Sequence, residues 1–358
     1  MGFLKTSWEK EKRQDIPIDV MNHIAARGSF VVVKSKRLFK EISEPEHPVI
    51  ESVLYDETQS FAEQLNDKVK AVNFTLWMEN IADNIASIKK SSDISKIPKN
   101  TKKTAVIVGA GPSFREKKHI DILDQFKGGN FDIISTDRMF VPLLQGGVVP
   151  DLVVSADGHR ELILPFYKSD LITKDLKTTA VMATMVSPNI VSAFPGRIFF
   201  FTPMIDDIEQ PFSLSAAISA MTRTSVLSTG GNVGITSIFL AFYLGYKNII
   251  LTGMDQGYTM NMPIEQSQYY PIIKEADPTM TPEKYREIYI IEGYNPDFDV
   301  RYYTDITWKS HIDHIVDESI TMSHQGINLI NATEGGCIHG GAIKSMTLKE
   351  ALKVYAKT

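Results

Sequence analysis

One cysteine, no apolar run of membrane-spanning length and no surplus of positive charge are what this sequence most plainly lacks. The lone Cys337 excludes an internal disulfide and any multi-cysteine zinc site. Such sparing use of cysteine leads us to expect a reducing, cytoplasmic setting. No stretch approaches the roughly 20 apolar residues of a membrane span. The opening "MGFLKTSWEKEKRQDIP" carries charge where a signal peptide needs its apolar stretch. Lys and Arg number 38 against 43 Asp and Glu, so nothing in the overall charge suggests a nucleic-acid partner.

What is present is ordinary for a globular protein. The chain has 358 residues, 43% of them hydrophobic and 23% charged. That length predicts one large domain with additions, or two domains. Residues 1–57 read as a small irregular region. From Gln59, Phe61, Leu65, Val69, Val72 and Leu76 repeat at helical steps, and Ile81, Ile85 and Ile88 continue the pattern. "KKSSDISKIPKNTKK" (89–103) has the polar, proline-containing composition of a connector.

Short apolar runs then alternate with helical patterns. "TAVIV" (104–108), "FDIIS" (131–135), "LVVS" (152–155), "TAVMATM" (179–185), "RIFFF" (197–201), "NIILT" (248–252) and "INLIN" (327–331) read as strands. Helices are expected over 114–126, 138–145 and 233–245, near 305–324 and around 346–356. This order predicts an α/β fold, a Rossmann-like and mostly parallel sheet with helices on both faces. The expected division is an N-terminal mixed and helical region (1–100), a nucleotide-binding core (101–256), an insertion (257–304) and a return to the core (305–358). The insertion holds Tyr258, Tyr269, Tyr270, Tyr285, Tyr289, Tyr294, Tyr302 and Tyr303. It reads as a lid that excludes water. The same aromatic enrichment equally suits a contact between copies of the chain in a homo-oligomer.

In an open parallel sheet, ligands sit outside the carboxyl ends of the strands. Small residues and carboxylates collect there: Gly109, Gly111, Pro112 and Ser113; Asp137; Asp157 and His159; Asp255; Glu334. The turn "GAGPS" looks suited to a phosphate, because Pro112 can open a helix whose free N–H groups favour an anion. It is not a dinucleotide fingerprint, since Phe114 stands where a third small residue belongs. No Gly-Lys-Ser/Thr run makes a P-loop. "STGGNVG" (228–234) gives a second glycine-rich entry to a helix through Gly230, Gly231 and Asn232, and Asn232 suits either a cap or a ligand contact. His311 and His314 stand at helical spacing with no third ligand signalled, so a structural or surface role is expected. His159 and His339 stand nearer the rim.

Together "VIVGAGPSF", "GVVPDLVVSADGH", "GGNVGITSIFLAFYLGYKNIILTGMDQGYT" and "NATEGGCIHGGAI" resemble, in that order, the motility-associated factor (Maf) flagellin glycosyltransferases. Their superfamily includes the 6-hydroxymethylpterin diphosphokinases with an MptE-like domain. "ENIADNIASI" (79–88) resembles the lead-in to the same pattern. The resemblance implies transfer of a nonulosonic, sialic-acid-like sugar from a CMP-sugar donor to a hydroxyl of a protein or glycan acceptor. Gly109, Gly111 and Ser113 would then hold the donor phosphate, and Asp137 and Asn232 the ribose or base. Asp255 and Glu334 would frame the acceptor, with Asp157, His159 or His339 as base and no metal. The alternative implied is a diphosphokinase using ATP and Mg2+, the metal held by Asp157 and Asp255. A nucleotide-binding scaffold without chemistry is the third reading.

Overall fold

The structure, a computed structural model, describes residues 73–98, 103–159, 164–206, 208–209 and 213–356. The readings made for residues 1–72 lie outside it. The chain divides into two compact units. The larger holds Leu76–Gln256, Tyr294–Val300 and His311–Thr358, and the smaller includes Gly257–Gly293 and Arg301–Ser310.

Helix α1 (73–90) opens the described chain, and β1 (Ser92–Asp93) follows it. The connector therefore carries a short edge strand. Asp93 secures it by accepting the amide and hydroxyl of Ser225 at 2.6 and 2.8 Å. β2 (Thr104–Val108) comes next and is buried along its whole length, as a central strand covered on both faces must be.

The helix expected over 114–126 is two short ones, α2 (Ser113–Glu116) and α3 (His119–Gln125). Lys118 breaks them apart in the left-handed conformation, φ 53°, which non-glycine residues adopt at a cost. The break turns His119 fully inward. Sequence periodicity does not register such a tertiary demand.

The alternation continues as expected through β3 (Phe131–Thr136), α4 (Asp137–Gln145), β4 (Leu152–Ser155) and β5 (Thr179–Ala183) to β6 (Ile198–Met204), with a short helix the sequence reading did not mark, α5 (Pro188–Ala193), before β6. After them come α6 (Leu214–Thr222), β7 (Val226–Ser228), α7 (Val233–Tyr243) and β8 (Asn248–Thr252). α7 is buried from Gly234 to Ala241, which explains its apolar sequence all round.

The smaller unit contains β9 (Tyr258–Thr259), α8 (Tyr270–Ala276) and α9 (Pro282–Tyr289), with most of β10 (Ile290–Asn295) and β11 (Val300–Asp305). These strands order as β10-β11-β9. Tyr258, Tyr269, Tyr270, Tyr285, Tyr289 and Tyr303 are buried in its own core with Ile264, Ile273, Met280 and Ile290. Tyr285 stacks on Tyr289 at 4.8 Å between ring centroids and meets Tyr270 edge-on at 5.3 Å. The aromatic enrichment is thus accounted for by internal packing, and gives no separate support to a lid or a contact between copies.

α10 (Ile306–His324) leads to β12 (Asn328–Asn331), β13 (Lys344–Ser345) and α11 (Leu348–Tyr355). Thr347 and Glu350 close a capping box at the start of α11, a local signal that needs no tertiary help. Among the described residues ten strands form one sheet, ordered β1-β6-β5-β4-β3-β2-β8-β12-β13 with β7 beside β6. Its pairings are parallel. The α/β, Rossmann-like expectation holds. No helix among the described residues is long and apolar enough to cross a membrane.

Candidate functional site

From β2 the chain steps outward through β3, β4, β5 and β6, then returns to place β8 and β12 on the other side of β2. The order reverses between β2 and β8, which is where open α/β sheets leave a crevice. Here the crevice is stitched shut. Gly109 N donates to Thr252 O at 2.8 Å and Gly111 N to Gly253 O at 2.7 Å. Ser113 donates its amide to Asp255 Oδ1 at 3.2 Å and its hydroxyl to Oδ2 at 2.7 Å.

The amides read from sequence as a phosphate cradle are therefore engaged by the protein, and Pro112 has none to offer. The glycines serve close approach. A Cβ on Gly109 would stand 2.5 Å from Gly253 O, and one on Gly111 would strike the Asp255 carboxylate. A Cβ on Gly336, at φ 70°, would stand 2.6 Å from the Asp255 backbone, and Cys337 N donates to Asp255 O at 2.8 Å. Burial pushes the Asp255 carboxyl up to about 6, against the lowering effect of the Ser113 donors.

The ends of β3 and β4 hold a second carboxylate group. Asp137 is the first residue of α4 and is 6% exposed. It accepts the amide of Arg138 at 2.8 Å and hydrogen-bonds the Ser155 hydroxyl. Ser155 in turn meets the Tyr167 hydroxyl at 2.6 Å. Burial raises Asp137 to about 6, and the charge of Asp157 adds to the rise. Asp157 is half-buried. It accepts the amide of His159 at 2.8 Å, and burial raises its pKa as well. Two interacting carboxyl groups, both shifted upward, are the arrangement that acid–base work requires.

Glu334 belongs to a third group. Its Oε1 lies 3.2 Å from His119 Nε2 and accepts the amide of Leu348, the first residue of α11, at 2.9 Å. His119 Nδ1 meets Thr252 Oγ1 at 2.6 Å. Glu334 reaches this position with φ 60°. Burial lowers the pKa of His119, opposed by the Glu334 carboxylate. Sequence analysis passed over His119, because nothing at its own position shows that β8 and the loop after β12 lie beside it.

Gly230 and Gly231, at φ 54° and 93°, form the turn into α7. Asn232 caps that helix, its Oδ1 accepting the amide of Ile235 at 3.0 Å. Its amide group donates to Gln256 Oε1 at 3.3 Å and to His311 Nδ1 at 3.1 Å. His311 is buried rather than a surface residue, and burial lowers its pKa to about 4. His339 is half-buried in the loop after β12.

α1 contributes two residues that sequence analysis also missed. Asn80 donates to Gly158 O and Met185 O at 2.9 and 3.0 Å. Asn84, one turn on, donates to Thr184 O and Val186 O at 3.1 and 2.7 Å. They pin the loops after β4 and β5. Among the described residues no group of three or more His, Cys, Asp and Glu is placed to hold a metal ion.

A family model described as 6-hydroxymethylpterin diphosphokinase MptE-like matches residues 79–261. Among solved structures, the chain is similar to the Maf glycosyltransferase from Magnetospirillum magneticum AMB-1. The TM-score is 0.53 at 15% identity, covering 80% of this chain and 42% of that one. The match thus spans less than half of the longer protein, and at this identity it establishes the fold. No curated protein matches the chain.

Proposed function

The chain belongs to the MptE-like family, and from that membership and the chemistry of its rim we propose that it is a transferase. It moves a nonulosonic sugar from a CMP-activated donor to a hydroxyl of a protein or glycan. The observation that carries this reading is the Asp137–Asp157 pair at the ends of neighbouring parallel strands. Asp157, the more exposed of the two, acts as base. It accepts the proton as the acceptor oxygen bonds to the anomeric carbon and the bond from that carbon to the CMP oxygen breaks. Burial raises the proton affinity of Asp157, and the charge of Asp157 adds to the rise at the buried Asp137 beside it. His159 orients Asp157 through its backbone amide. Glu334 holds the loop after β12 against α11 at the same rim. The order of readings follows the Maf-like "STGGNVG" and "TEGGCIHGG" runs.

The test is CMP release from a CMP-nonulosonate donor with a hydroxyl acceptor. Asp157→Asn should lower the rate about 10²- to 10⁴-fold, the usual contribution of a positioned base, while CMP still binds. An unchanged rate in that variant would remove Asp157 from the chemistry.

The family description itself favours a second reading, diphosphate transfer from ATP to a pterin alcohol with Mg2+. Mg2+ needs only one or two carboxylates beside phosphate oxygens. Asp255 suits it poorly, because both its oxygens already accept from Ser113. Asp157 with Asp137 suits it better. Thermal stabilisation by ATP that requires Mg2+, with none from CMP or CTP, would put this reading first. Firm nucleotide binding without turnover of any donor would favour a scaffold.

A further inference from the structure

With the turn after β2 closed by Asp255, the rim still offers unspent hydrogen-bond donors at the start of α7. A helix begins with orphan amides, and here the cap satisfies only part of them. Asn232 Oδ1 takes the amide of Ile235, and Asn232 O takes that of Thr236 at 2.9 Å. Among the described residues no acceptor meets the amides of Val233 or Gly234. Beside Asn232 and Gly231 stands His311, 8% exposed. The tautomer of its ring follows from its neighbour. Asn232 Oδ1 is fixed by the Ile235 amide, so Asn232 turns its NH2 toward His311 Nδ1. That nitrogen must accept, and the proton sits on Nε2. Nε2 has no hydrogen-bond partner among the described residues. It is the atom that a side chain on Gly231 would strike first, so it points at the glycine turn.

We propose that the amides of Val233 and Gly234 and His311 Nε2–H form an oxyanion site that takes the phosphate of the nucleotide. The identity of the ligand rests on the functional reading above; the donor geometry does not. A Cβ on Gly230 would strike Ile235 and one on Gly231 the His311 ring, so the glycines let both side chains pack close to the turn, and the helix dipole favours an anion's charge at its start. His311 adds a third donor without a positive charge of its own. This moves the phosphate site from the turn at 109–113 to the turn at 229–232.

The test is titration calorimetry of the full chain with CMP, inorganic phosphate and cytidine. Val233→Pro is the sharp variant. Proline is accepted at the first position of a helix, and Asn232 is already extended (φ −151°, ψ 164°), as a residue before proline must be. It deletes one donor and keeps the fold. Val233→Pro and His311→Ala should each weaken CMP about ten-fold or more, the loss expected for a hydrogen bond to a charged group. Cytidine, which lacks the phosphate, should be unaffected by either. If His311→Ala unfolds, Val233→Pro decides alone, with the Gly234 amide shift on CMP addition as a second readout. CMP affinity equal to wild type in Val233→Pro, or no shift at Gly234, overturns the site and leaves the transferase reading standing. A wild-type chain that binds neither nucleotide nor phosphate overturns both.

Discussion

Ser113 gives both its amide and its hydroxyl to the two carboxylate oxygens of Asp255, 142 residues further along the chain. A protein carboxylate thus occupies the place where the sequence suggests a ligand phosphate. Removing the hydroxyl leaves a buried oxygen short of a donor. Ser113→Ala should cost about 1.5–3 kcal/mol, read as a lower denaturation midpoint.

The same closeness makes Gly111 intolerant of any side chain. A Cβ there meets the Asp255 carboxylate and stands 2.7 Å from the Gly253 carbonyl oxygen. Gly111→Ala should destabilise the protein by about 1–3 kcal/mol or more, the range for overpacking. Gly335→Ala, where a Cβ meets nothing within 4 Å, should leave the melting temperature nearly unchanged.

The buried Asp137 predicts a pH dependence of known sign. Its folded pKa of about 6 lies above the ordinary 3.8, so between those values the folded state binds more protons than the unfolded. Stability is therefore highest below about pH 4 as far as this group decides it, and falls as the pH rises toward 6. The loss integrates to about 3 kcal/mol at 1.36 kcal/mol per pKa unit. Urea midpoints across pH 4–7 should show a shallower fall in Asp137→Asn.

Asn80 and Asn84 each satisfy two buried carbonyls. Asn80→Ala and Asn84→Ala should each cost about 1–3 kcal/mol. Faster amide exchange in the loops after β4 and β5 would identify the cause. No destabilisation in either variant would mean that α1 does not hold those loops.

Thr184 makes the opposite case. Its hydroxyl oxygen is buried without a hydrogen-bond partner, a cost borne by the folded state. Thr184→Val, which replaces the hydroxyl by a methyl of similar size, should match or exceed wild-type stability in thermal unfolding.

Much of the architecture was legible from short-range pattern. Leu152–Ser155 and Asn248–Thr252 are strands over the residues their apolar runs mark, because a strand buried on both faces must be apolar throughout. α7 was legible for the same reason. The tyrosines between 257 and 304 were visible, but not that six of them pack in a core of their own, since composition does not distinguish an aromatic core from an aromatic surface. The rim itself followed from parallel topology, which carries every strand end to one edge.

The partners across that rim were not legible. Local sequence determines which residues are strand, helix or turn, because backbone sterics and apolar periodicity act over a few positions. It also determines that carboxylates and glycines end the strands. Tertiary structure alone decided that Asp255 would fill the first glycine turn, that His119 would bridge Thr252 and Glu334, and that His311 would face the second. Those contacts join residues 79 to 215 positions apart. They exist only because the sheet reverses its order at β2 and β8, and hydrogen-bond geometry then selects which donors remain free.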